Sequence, residues 1–78
     1  MPTVLRVKGY RFFFFSNEGN EPIHIHVEKA ESYVKFWLDP IRIAFEFGFN
    51  SKQLREINSI IEENRELLIE KLDEYFAE

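Results

Sequence analysis

Two stretches of this chain alternate between apolar and polar residues, and the phase of that alternation restricts how they can pair. Residues 23–28 read Ile-His-Ile-His-Val-Glu and residues 32–38 read Ser-Tyr-Val-Lys-Phe-Trp-Leu. Period two is the signature of strands with one buried face. Setting Lys29 opposite Ser32 aligns Val27 with Val34, Ile25 with Phe36 and Ile23 with Leu38 on one apolar face. The other face then collects Glu28 with Tyr33, His26 with Lys35 and His24 with Trp37. A slip of one residue would turn every apolar side chain to the wrong side. An antiparallel pair in this register is therefore expected, although Ala30-Glu31 is not a favoured turn pair.

The flanking segments extend the pattern. Residues 3–7 (TVLRV) and 10–16 (YRFFFFS) read as two strands joined at Lys8-Gly9, where glycine tolerates the backbone of a tight turn. The second of these is apolar on both sides, with Tyr10, Phe12 and Phe14 on one and Phe13 and Phe15 on the other. Such a strand is either a central one covered on both sides or one whose second face meets a partner or a second copy, and the latter is expected because one short helix cannot cover two faces of a sheet. Asn17 to Pro22 is a turn-rich loop. Asn17 and Glu18 within it could bind or orient a ligand, against the more ordinary role of closing an Asx-type turn. After Asp39-Pro40, residues 41–47 (IRIAFEF) predict a fifth strand, with a short helical turn as competitor. Strict alternation would send Ile41, Ile43, Phe45 and Phe47 inward and Arg42 and Glu46 outward.

A helix start follows. Asn50 at the N-cap places Gln53 where a capping box closes, and sets Phe49 against Leu54 as a hydrophobic staple. Leu54, Ile57, Ile61, Leu68, Leu72 and Tyr75 then recur at helical spacing, with Ile60, Leu67, Ile69 and Phe76 widening the stripe. A continuous helix over 51–76 would be roughly 39 Å long at ~1.5 Å per residue, more than short strands support, so a bend or break near Glu63-Asn64 is expected. The acidic end (Asp73, Glu74, Glu78) has the wrong sign for a helix C-terminus and suggests fraying or a basic partner. The fold class expected is α+β: an antiparallel sheet of four or five strands over residues 1–49, then a C-terminal helical segment over 50–78 packed on one sheet face. The whole reads as a single domain.

Composition narrows the chemistry. A chain of 78 residues buries only about 60% of the surface its unfolded form exposes, a small core offset here by nine Phe, three Tyr and one Trp. Cysteine is absent, which excludes disulfides and thiolate zinc sites and leaves only nitrogen and oxygen ligands for any metal. No apolar run reaches the ~20 residues of a membrane span, so a cytoplasmic protein without membrane contact is expected. Residues 1–51 carry six Lys/Arg and six Asp/Glu, so the net charge of −4 comes from residues 52–78, with four and eight. That balance disfavours a general nucleic-acid binder but leaves room for a basic patch on the first part.

On a strand, His24, His26 and Glu28 leave one face with successive rings about 6–7 Å apart. Two imidazoles and a carboxylate are a ligand set for zinc or non-haem iron, so a divalent metal at His24, His26 and Glu28 is one reading, although a straight strand converges poorly. No cofactor is otherwise expected. A metal-free acid–base site is the second, with His24 and His26 exchanging protons in RNA cleavage and Lys35 and Arg11 stabilising developing charge. The third is an ordinary solvated strand face. Tyr33 and Trp37 on the same face look more like a recognition surface than a washed one.

Several of these segments together resemble a bacterial family catalogued as a domain of unknown function (DUF4160). The resemblance rests on the opening MPTVLRV, on Tyr10 through Gly19, on Glu21-Pro22-Ile23-His24-Ile25-His26-Val27, on Lys35-Phe36-Trp37-Leu38, and on the helix from Ser51 through Asn64-Arg65 to Tyr75-Phe76. Relatives carry Pro-Pro-His-Val-His-Val where this chain has Pro-Ile-His-Ile-His-Val, so both histidines are kept. The resemblance implies a component of a toxin–antitoxin-like gene pair with a small partner protein encoded nearby. From it and the alternation, the expected function is partner binding, with RNA bound or cleaved through His24 and His26. The alternatives are a non-enzymatic interaction or antitoxin-like module, including a homo-oligomer, and a metal-binding protein. Whether the chain is an enzyme stays open at this point.

Overall fold

The computed structural model describes residues 3–14 and 22–76. Five strands, β1 (Thr3–Val7), β2 (Tyr10–Phe13), β3 (His24–Lys29), β4 (Ser32–Leu38) and β5 (Ile41–Phe47), precede one helix, α1 (Ser51–Phe76). The strands form an antiparallel meander in the order β1-β2-β3-β4-β5, which leaves β1 and β5 as its edges. Lys8 and Gly9 both take positive φ, 54° and 86°, and make the first turn. β2 ends at Phe13, and the expected continuation through Phe15 and Ser16 lies outside the described residues.

The β3–β4 register agrees with the parity of the sequence at every position from His24↔Trp37 to Lys29↔Ser32. Hydrophobic burial enforces it. Ile25, Val27, Val34, Phe36 and Leu38 face α1 beside Tyr10 and Phe12, against Ile57, Ile61 and Leu68, and all are essentially buried. Each such aliphatic or aromatic side chain stabilises the fold by about 1.5–3 kcal/mol, and a slipped register would forfeit the set. The helix start also forms as expected: Gln53 N–H donates to Asn50 Oδ1 (2.8 Å) and Asn50 N–H to Gln53 Oε1 (3.1 Å). Phe49 is buried against Tyr10, with ring centroids 5.9 Å apart.

Two expectations are corrected. The helix is unbroken from Ser51 to Phe76. Asn64 lies within it, with its Nδ2 donating to the Ile60 carbonyl one turn back (2.8 Å), and Arg65 fastens the same turn to the sheet. Arg65 Nε donates to the Leu38 carbonyl (2.8 Å) and a second guanidinium nitrogen meets Asp39 (3.2 Å), so this residue anchors the helix to the β4–β5 turn.

The second correction concerns β5. It does not alternate strictly: Phe36 pairs with Ile43 and Lys35 with Phe45, so Ala44 is an extra residue opposite β4. The bulge shifts the phase. Ile41 and Ile43 lie on the helix side, as expected, but Phe45 and Phe47 lie opposite Lys35 and Tyr33 on the other face, and both are exposed. Glu46 falls opposite Val34, on the helix side, where it accepts the Phe49 N–H (3.0 Å).

Candidate functional site at the histidine face

β3 delivers His24 and His26 to the face away from α1, flanked by β2 and β4. Their imidazoles meet edge to face with centroids 5.1 Å apart, so the alternation does bring them together. They are not presented openly to solvent, being 4% and 3% exposed. Strand pairing supplies the walls: Phe13 and Tyr33 stack on His26 at 5.3 and 5.8 Å, and Trp37 meets His24 edge-on at 5.7 Å. Such walls follow from register, since His26 lies opposite Phe13 on one side and Lys35 on the other, with Tyr33 two residues along.

Hydrogen bonds fix both rings. His24 Nδ1 lies 2.8 Å from the Pro22 carbonyl, which can only accept, so Nδ1 is the donor of this bond. The His24 Nε2 is buried. His26 Nδ1 and the Tyr33 hydroxyl share a bond of 2.5 Å. The pair is thus a held, aromatic-lined unit. Reaching a large substrate would require the surrounding rings to part.

The two supporting cations sit differently. Arg11 is engaged by Glu28 (2.5 Å), by Thr3 Oγ1 (2.8 Å) and by the face of Phe13, 4.4 Å from its centroid. Lys35 lies opposite His26, with its ammonium 4.8 Å over the Trp37 ring. Glu28 is therefore partnered by Arg11, and among the described residues no three His, Asp or Glu side chains are gathered to hold a metal ion. Asn17 and Glu18 lie outside the described residues.

Sequence reasoning missed Phe45 and Phe47 on this face. Tyr33 and Phe45 rings are 6.0 Å apart, so these phenylalanines extend the aromatic surface to the sheet edge. The available signal was weak: a small Ala44 inside an otherwise bulky run. Beside β5, a groove of about 470 Å³ opens towards α1, lined by Phe36, Ile41, Arg42, Ile43, Leu54 and Arg55 among others. Among the described residues no helix is long and apolar enough to cross a membrane.

No curated protein and no solved structure matches the chain. A family model described as a domain of unknown function matches residues 9–72, a span that takes in the histidine strand, its neighbours and nearly all of the helix. By that match the chain belongs to the DUF4160 family.

Proposed function

We propose that this chain is a small binding component of a toxin–antitoxin-like pair, and that it docks a partner protein at the uncovered β5 side of its sheet. One observation carries the reading. A single helix leaves the groove between β5 and α1 open, with Ile43 47% exposed on an edge strand that no further strand covers among the described residues. Apolar groups around an open groove at a sheet edge favour association. The enclosure of His24 and His26 supports binding over catalysis, since both Nδ1 atoms are taken up in hydrogen bonds that hold the face together.

The test is co-expression with the small protein encoded beside this chain, followed by sizing of the complex. Wild-type chain and the His24→Gln variant should both form it, and Ile43→Asp should not. A complex untouched by Ile43→Asp, or no complex with the neighbouring product, would sink the proposal. A histidine-based ribonuclease is the second reading, favoured by the 5.1 Å imidazole pair. It requires RNA cleavage that disappears in His24→Gln.

A further inference from the structure

The histidine face carries a second, separate surface. Register assigns Arg6, Arg11 and Lys35 to this side of the sheet, because Arg6 pairs with Arg11, Arg11 with Glu28 and Lys35 with His26, whereas Arg42, opposite Trp37, also lines the groove towards α1. Glu28 is the one carboxylate that the strand register adds to this face among the described residues, and Arg11 binds it. A chain of net charge −4 thus concentrates cations on one sheet face. Arg6 and Arg11 lie directly opposite each other, and Glu28 offsets the charge of Arg11.

Aromatic groups interleave with these cations. Phe45 and Phe47 are 55% and 62% exposed, and Tyr33 lies beside Phe45. Large apolar rings exposed beside cations are poorly suited to water, and well suited to flat, anionic ligands whose rings stack and whose backbone is charged. Unpaired bases offer both; duplex bases keep their faces stacked inside the helix and present mainly phosphate.

The geometry points to this face as a platform for single-stranded RNA, with Phe45, Phe47 and Tyr33 stacking bases and Arg6 and Lys35 meeting phosphates. The histidine pair beneath holds the platform's shape. RNA is bound here and not cut, a step beyond partner docking on the groove side of β5.

Fluorescence anisotropy of a labelled oligouridylate with the full chain tests it. Binding should quench Trp37 emission and weaken with added salt. Phe45→Ala and Phe47→Ala should each lower affinity about tenfold or more while leaving circular dichroism unchanged. Arg6→Gln should reduce the salt slope, and Ile43→Asp, altered on the opposite face, should bind as wild type. Four results would overturn the inference: no binding of single strands, equal binding of a duplex, indifference to both phenylalanine substitutions, or equal loss in Ile43→Asp. Displacement of the RNA by polyglutamate at matched charge would assign the face to an acidic protein instead and would equally overturn it.

Discussion

Phe45 stands opposite Lys35, although Ile43 two positions earlier stands opposite the adjacent Phe36. The extra residue between them, Ala44, gives β5 two apolar sides, one towards the groove and one towards the histidines. This relationship is measurable as stability. Phe45→Ser and Phe47→Ser should change unfolding free energy by no more than about 0.5 kcal/mol, as exposed substitutions do, whereas Phe36→Ala should lose about 3–5 kcal/mol. Urea titrations of the three variants decide it, and a core-sized loss at Phe45 would contradict the bulge.

Tyr10 couples the sheet to α1 through its hydroxyl, which donates to Glu56 Oε1 (2.7 Å) beside Lys8 (3.5 Å). Burial first, then the Glu56 carboxylate, push the Tyr10 phenol up to about 12 from its usual 10.0. A raised folded-state value means that this contribution to stability is complete below pH 10.0 and is lost as the pH rises through about 12. Glu56 is held below its ordinary value chiefly by the same hydrogen bond, so its contribution is present above 4.5 and fades as the pH falls through the lowered value. In Glu56→Gln the phenol should titrate closer to 10.0, read from the ultraviolet absorbance of the phenolate.

Much of this arrangement could be read from residue order, and the failures share a cause. The β3–β4 register followed from alternation because Val27, Val34, Ile25 and Phe36 allow one phase only. The capping box of Asn50 and Gln53 was legible because its partners are three residues apart. The bulge at Ala44 was not, since an inserted residue leaves local composition unchanged and shows only against the neighbouring strand. Helix continuity past Asn64 was not legible either, since Arg65 there reaches the Leu38 carbonyl, 27 residues away, and ties the helix to the sheet. The histidines were correctly placed together. Their enclosure needed Phe13, Tyr33 and Trp37 from two other strands, which spacing within β3 cannot reveal.

Two turns predict opposite outcomes for exchanging alanine and glycine. Ala30 takes φ 55°, a left-handed conformation that strains an L side chain. Ala30→Gly should therefore stabilise the protein, by about 0.5–1 kcal/mol after the greater unfolded-state freedom of glycine is subtracted. Gly48 takes φ 88°, and a Cβ there would lie 2.7 Å from Ser32 Oγ and 3.2 Å from its Cα. Gly48→Ala should lower the melting temperature by several degrees, about 4–8 °C per kcal/mol in a domain of this size. A scan showing Ala30→Gly neutral or harmful would mean that the turn is not strained as described.

The hydrogen bond between His26 and Tyr33 separates an enclosed histidine pair from a merely polar strand face. On a solvated face, His26→Ala would change stability by no more than about 0.5 kcal/mol. With the ring stacked against Phe13 and Tyr33 and 3% exposed, its removal opens a cavity and breaks the bond to the Tyr33 hydroxyl. The expected loss is about 2–4 kcal/mol. Tyr33→Phe should lose about 1 kcal/mol, and the double variant less than the sum of the two. A thermodynamic cycle of these three proteins measures the coupling, and a value near zero would mean that Tyr33 does not hold the ring.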